Sequence, residues 1–226
     1  MPAASSTLII GASRGLGLGL VRQFLARGRR VIATVRDASR PGPVAELAGA
    51  DRLRVESADV AIAESLMALR RRLEGETLDI LMVNAGIGVT GREDFAEAFL
   101  ACMRVNALGA MDAVKTLFDL VGEDGAVGVM SSQLGSIANN SSGGYEPYRA
   151  SKAALNQSLR SFAAEHAQAK VSFTCLHPGW VQTDMGGPQA PLDVETSTRG
   201  VADVLESRLG QRGDAFLDYS GQTLPW

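Results

Sequence analysis

The chain has 226 residues, 46% of them hydrophobic and 21% charged, which is globular composition with length enough to bury one sizeable core. With a net charge of −3, a pI of about 5.5 and arginines scattered rather than in a stripe, nothing argues for a nucleic-acid or anionic-membrane partner. No uninterrupted apolar run reaches membrane-spanning length, and the opening residues MPAASST carry no charged region ahead of an apolar one, so a cytoplasmic location is expected.

Residues 7–11 (TLIIG) form a short β-branched run closed by glycine. From there Leu16, Leu20, Phe24 and Leu25 recur at helical spacing. Further strands are predicted over 30–35, 53–60, 78–86, 125–132, 170–179 and 214–220. Further helices are predicted over 62–74, 94–121, 148–167 and 193–208. Continuous apolar strands separated by helices indicate a parallel sheet covered on both faces. The fold class is therefore α/β, a single-domain (1–226), Rossmann-type doubly wound sheet of about seven strands. The run RRR at 70–72 is expected on a solvated helix face. Cys102 and Cys175 lack metal-like spacing and are expected as buried thiols; no metal site is predicted. His166 and His177 have no paired carboxylate in the sequence pattern and are expected to be structural. GGPQAP (186–191) follows a strand end, where such sheets bind ligands, and reads as a mobile lid.

Residues 11–19, GASRGLGLG, fit G-x-G-x-x-G in no register. Their context is nonetheless a strand–turn–helix junction. Glycine there permits positive φ and close backbone approach to a pyrophosphate, and the helix N-terminus adds partial positive charge.

The second signal is YRASK, which puts Tyr148 and Lys152 one turn apart on one helix face. Coincidence alone would give about 0.04 such pairs in this chain. A phenol titrates near pH 10, too high for easy proton exchange at neutrality, and a neighbouring ammonium is expected to lower it. The pair then makes a tunable proton donor and acceptor. Upstream, VMSSQLGS puts Ser131 and Ser132 at a strand tip, where a hydroxyl can hydrogen-bond a carbonyl, and no G-x-S-x-G competes for these serines. Tyr145 has Arg149 rather than lysine at i+4 and is assigned at most to the pocket wall.

With Gly11-x3-Gly15-x-Gly17, Asn84-Ala85-Gly86, Ser132 and Tyr148-x3-Lys152 in this order, the chain resembles a classical short-chain dehydrogenase/reductase over essentially its whole length. HPGWVQTDMGG (177–187) and the ending FLDYSGQTLPW resemble the C-factor and sniffer-type carbonyl-reductase branch. The resemblance implies a catalytic set of Ser132, Tyr148, Lys152 and Asn106, the last completing a tetrad through a water beside the lysine. It implies a cofactor loop of Gly11, Ser13, Arg14, Gly15 and Leu16. Asp59 and Val60 match the adenine pair, and Asn84, Ala85 and Gly86 the segment bordering the adenosine ribose. Tyr148 and Lys152 also border the nicotinamide ribose, and Pro178, Gly179, Val181 and Thr183 match the segment beside the carboxamide. Ile10 replaces the threonine that often precedes the first glycine, removing a supporting hydrogen bond.

The cofactor is assigned as NADP (NADPH). An NAD enzyme places an acid near the end of the second strand, whereas here Val35 is followed by Arg36, and Arg36 with Arg14 can converge on a 2′-phosphate. Asp37 taking an NAD ribose is the alternative. The expected reaction is reduction of a ketone or aldehyde, with a small-molecule carbonyl or alcohol as partner. A C-factor-like nucleotide-binding signalling role with little turnover is the other reading. Substrate selection is assigned to residues 183–197, to those near 90–95 and to 134–145. Phe95, Phe99, Met103, Leu108, Met111, Leu117 and Leu120 surround helix 94–121 with apolar side chains. Similar reductases pair through this helix and 148–167, so a homodimer or homotetramer is expected.

Overall fold

The computed structural model describes residues 6–47, 51–88 and 94–226. Its strands are β1 (Ser6–Ile10), β2 (Arg30–Val35), β3 (Leu53–Ser57), β4 (Leu78–Val83), β5 (Val121–Met130), β6 (Ser172–His177) and β7 (Gly213–Asp218). They form one sheet in the order β3-β2-β1-β4-β5-β6-β7, every neighbouring pair parallel. The helices are α1 (Gly15–Ala26), α2 (Ala63–Arg72), α3 (Phe95–Cys102), α4 (Ala110–Leu117), α5 (Glu146–Glu165) and α6 (Val194–Ser207).

Period-two alternation along the strands feeds two cores. Leu8 and Ile10 of β1 pack with Leu66 and Leu69 of α2, Val114 of α4 and Leu159 of α5 on one face. Ile9 packs with Phe24 of α1 and Leu205 of α6 on the other. Each such fully buried aliphatic side chain contributes about 1.5–3 kcal/mol. Both faces being covered explains why the central strands carry apolar residues on successive positions, as the sequence predicts. The strand order reverses between β1 and β4, which opens a crevice beyond their carboxyl ends.

Strand ends differ from expectation in a consistent direction. β3, β4, β5 and β6 stop two or three residues short of the predicted 60, 86, 132 and 179. In each case the backbone leaves the sheet where the candidate site residues begin. The predicted helix 94–121 is α3, a π-helical turn (Met103–Gly109), α4 and a 3-10 turn (Phe118–Leu120) in succession, with β5 starting at Val121. Asp94 caps its start by accepting from the amides of Ala96 and Glu97. Met111, Leu117 and Leu120 are buried, whereas Phe95, Leu100 and Leu108 are 57%, 68% and 61% exposed in the single chain.

Two of the three arginines at 70–72 are not merely solvated. Arg70 pairs with Asp119, and Arg72 with Glu56 and the Ser57 carbonyl, tying α2 to the end of α4 and to β3. The 186–191 stretch is likewise held. The Gly186 amide donates to Thr183 Oγ1, Trp180 Nε1 donates to the Gly186 carbonyl, and Gln182 Nε2 donates to that of Ala190. Of the residues near 90–95 assigned to substrate selection, only Asp94 and Phe95 lie among the described residues. His166 stacks on Phe162, and burial holds His177 down at about 4, so both histidines have the structural setting expected of them.

Candidate active site

The glycine turn lies at the switch point between β1 and β4. Gly11 adopts φ +88°, and a Cβ there would stand 2.8 Å from the Ala85 Cα, so the turn runs directly against the segment following β4. Gly17 packs on the Gly11 carbonyl and the Asn84 amide, leaving no room for a side chain. Asn84 Nδ2 donates to the Gly11 carbonyl at 2.7 Å, so Asn84 braces the turn. The support that Ile10 cannot give comes from Thr34 of β2, a residue the sequence reading missed. Its hydroxyl accepts from the Gly11 amide at 3.0 Å and its carbonyl from Ala12 at 2.7 Å. α1 opens with no side-chain cap at Arg14 and no acid in its first turn. Its first N–H groups and its positive dipole end are therefore not neutralised by the protein's own carboxylates, which suits a pyrophosphate.

The residues expected at the adenosine lie around the tips of β2 and β3. Asp59 Oδ1 accepts from the Ala61 amide, and the Val60 carbonyl is covered by the helix at Gly109, where a Cβ would stand 2.5 Å away. Asp37 is engaged within its own turn. Hydrogen bonds from Ser39, and then from Arg40, lower its carboxyl pKa. Arg36 is exposed, with no ion-pair or hydrogen-bond partner among the described residues. Arg14 instead reaches across to Asp184, Nη1 to Oδ2 at 2.5 Å.

The segment after β6 completes this wall. Gly179 turns at φ +84°, packed against Leu192 and Tyr219, and Ser197 Oγ donates to the Pro178 carbonyl at 2.7 Å. Val181 bridges Leu192, and Thr183 lies beside the glycine turn, 3.6 Å from where a Gly15 Cβ would stand.

The proton-handling residues converge beyond β5. Ser132 follows the strand, its oxygen accepting from the Leu134 amide at 3.1 Å, and its side chain faces the Tyr148 phenol, whose pKa it pulls down against the larger effect of burial. Tyr148 and Lys152 lie on the first turns of α5, which opens at Tyr145 in the left-handed region (φ 53°) with Pro147 beside it. Lys152, 3% exposed, donates to the Met130 carbonyl at 2.7 Å, and its Nζ is 5.7 Å from the Tyr148 ring centre. Asn106, fully buried, occupies the π-helical turn. Its amide accepts from Ile87 N and donates to the Ile87 carbonyl and to Ser151 Oγ. A π turn re-aims one side chain inside a helix, and here that side chain is Asn106. Gly86 fits between Asn106 and Lys152, with a Cβ position 3.2 Å from Asn106 Oδ1 and 3.5 Å from Lys152 Nζ.

One electrostatic expectation is overturned. Burial pushes the Tyr148 phenol up to about 12, and the Ser132 hydrogen bond opposes this only in part. The lysine does not lower it, because burial also pulls Lys152 down to about 8 and its amine is turned to Met130. Water exclusion outweighs the neighbouring charge.

A doubly wound sheet with a glycine turn at its switch point and a buried Ser–Tyr–Lys group at the adjacent strand tip defines an oxidoreductase of the dinucleotide-binding class. The chain belongs to the short chain dehydrogenase family, whose model matches residues 5–191. C-signal of Myxococcus xanthus is 36% identical over 155 residues, 66% of this chain and 93% of that protein. A Burkholderia multivorans protein described as a short-chain dehydrogenase/reductase, crystallised with bound NADP, shares 46% identity at a TM-score of 0.92, covering 99% of this chain and 100% of its own. The carbonyl reductase Sniffer of D. melanogaster shares 30% identity at a TM-score of 0.87, with 99% and 100% covered. These similarities agree with the branch that the 177–187 segment and the chain's last residues resemble. Among the described residues no helix is long and apolar enough to cross a membrane, and no cluster of three or more acidic, histidine or cysteine residues could hold a metal.

Proposed function

We propose that the protein is an NADP(H)-dependent reductase of ketones or aldehydes. The observation that carries the reading is that Tyr148 and Lys152, one helical turn apart on α5, stand with Ser132 beyond the same sheet edge as the glycine turn. Gly11, Ser13, Gly15 and Leu16 of the cofactor loop would hold the pyrophosphate, and Arg14 of the same loop would turn to the 2′-phosphate. Asp59 and Val60 border the adenine, and Asn84, Ala85 and Gly86 its ribose. Tyr148 and Lys152 hold the nicotinamide ribose, and Pro178, Gly179, Val181 and Thr183 the carboxamide. Arg36, at the tip of β2 and without a partner among the described residues, receives the 2′-phosphate, while Asp37 is occupied by Ser39 and Arg40. NADP-bound relatives support this choice over NAD.

A bound nicotinamide dinucleotide supplies the hydride. The protein's residues deal with the charge that then develops on the carbonyl oxygen. Ser132 donates a hydrogen bond to that oxygen, and Tyr148 transfers its phenolic proton to it. A phenol held up at about 12 is protonated throughout the neutral range, which is the form a general acid must have. Lys152, still mostly charged at pH 7, stabilises the phenolate left behind. Asn106 positions the lysine's surroundings by fixing Ile87 and, through Gly86, the wall beside the amine. A signalling role without turnover gives no use to this proton-transfer group.

The test is NADPH oxidation, followed at the cofactor's absorbance, against a panel of ketones and aldehydes. Tyr148→Phe should lower turnover at least about 100-fold while leaving the NADPH Kd within about twofold, as the phenyl ring is retained. Full activity in that variant removes Tyr148 from the mechanism. Pairing through the exposed Phe95, Leu100 and Leu108 strip belongs to the same proposal; sedimentation at micromolar concentration gives a dimer or tetramer if it holds.

A further inference from the structure

The ion pair between Arg14 and Asp184 joins two segments 170 residues apart in the chain. Arg14 lies in the glycine turn, and Asp184 immediately follows Thr183 on the segment after β6. The same two segments meet again where Thr183 faces Gly15. Both charged side chains are 74% exposed, so the pair is solvated and exchangeable rather than part of the core. It consumes the positive charge of one of the two arginines available to an adenosine 2′-phosphate. Arg36, the other, has no partner to give up among the described residues. Asp37, another acid on this rim, is taken by Ser39 and Arg40 and does not reach Arg14 in its place.

We propose that Asp184 is a cofactor-specificity residue: its carboxylate competes with the 2′-phosphate for Arg14, and so sets how strongly the protein distinguishes NADPH from NADH. This inference rests on the NADP assignment above. The competition is selective because NADH presents a 2′-hydroxyl where NADPH presents a dianion. Only NADPH therefore has to draw Arg14 away from its carboxylate partner. An exposed pair is weak and screened by salt, so the effect is graded and shrinks as ionic strength rises.

The experiment is direct titration of the purified chain with NADPH and with NADH, in wild type, Asp184→Asn, Arg14→Ala and the double variant. Asparagine keeps the shape of the side chain and removes its charge, and its exposed position leaves the fold intact, checked by an unchanged melting temperature. Asp184→Asn should tighten NADPH by about two- to fivefold and leave NADH unchanged. In the Arg14→Ala background the same substitution should have no effect on either cofactor. The inference falls if wild type prefers NADPH but Asp184→Asn leaves the NADPH-to-NADH ratio unaltered, or if the gain persists without Arg14. A wild-type preference for NADH overturns the cofactor assignment itself, and this inference with it.

Discussion

The two ends of the crevice are built on opposite principles. At the end proposed for proton transfer, Lys152, Asn106 and Ser132 are buried, and each is held by hydrogen bonds with a different segment. At the end proposed for the adenosine, Arg14 and Arg36 stand in solvent, one on an exchangeable partner and the other on none described. Proton transfer needs water excluded and atoms fixed, and burial supplies both while moving pKa values by about two units in opposite senses. Recognition of a charged cofactor that must enter and leave each cycle needs the reverse, charges that exchange partners at small cost. The contrast predicts large, cooperative losses at one end and modest, salt-sensitive ones at the other.

A large effect should come from the latch behind Ser132. Ser131 Oγ donates to Asn156 Oδ1 at 2.5 Å inside the protein, joining the tip of β5 to α5 one turn beyond Lys152. Asn156 Nδ2 already has no partner among the described residues. Ser131→Ala leaves the whole buried amide unpaired and should cost about 1–3 kcal/mol, which thermal unfolding reads as roughly 2–4 °C per kcal/mol. Because the bond fixes the strand tip that presents Ser132 relative to the helix that presents Tyr148, kcat should fall with little change in KM. A Ser131→Ala protein with wild-type melting temperature and kcat would mean that the buried end is not over-determined.

The exposed end gives the next effect. Arg36→Ala should weaken NADPH about five- to tenfold, a charge-assisted contact softened by solvent, and leave NADH binding unchanged in the same titration. Equal losses for both cofactors would mean that Arg36 acts on the turn's structure rather than on a phosphate.

How much of this was legible in the chain follows the same division. The parallel sheet and its two covered faces follow from apolar periodicity, because burial imposes the pattern, and the Tyr148–Lys152 pair follows from its own i, i+4 spacing. Where strands end was misread at 58–60, 84–86, 131–132 and 178–179. Ala58, Val60, Ala85 and Gly86 stay small or apolar after the backbone has left the sheet, so the apolar run does not break where the strand ends. Thr34 was missed because its hydroxyl serves a turn on the neighbouring strand, and strand pairing is invisible in a linear pattern. A substitution of Ile10 for the usual threonine is the one signal that could have prompted a search for it. Asp184 was missed for the same reason, its partner being 170 residues away. The sign of the Tyr148 shift was misjudged because spacing reveals a neighbouring charge but not the depth at which both groups are buried.

That depth has a measurable consequence within the physiological range, where the expected changes are smallest. In the reducing direction the required forms are a protonated Tyr148 and a charged Lys152. With the phenol held at about 12 and the ammonium at about 8, both exist together below about pH 8. Reductive kcat/KM should therefore be level from pH 6 to 7, changing by less than about twofold, and should decline as pH rises through 8 and Lys152 loses its proton. Alcohol oxidation uses the same phenol as a base, so it should instead begin low at pH 7 and climb by up to about tenfold per pH unit while the phenolate fraction grows. A lysine that controlled the tyrosine's titration would bring that oxidative rise to a plateau near neutrality. Rates followed in both directions with one carbonyl–alcohol pair decide between water exclusion and the neighbouring ammonium as the force that tunes the proton-transfer end.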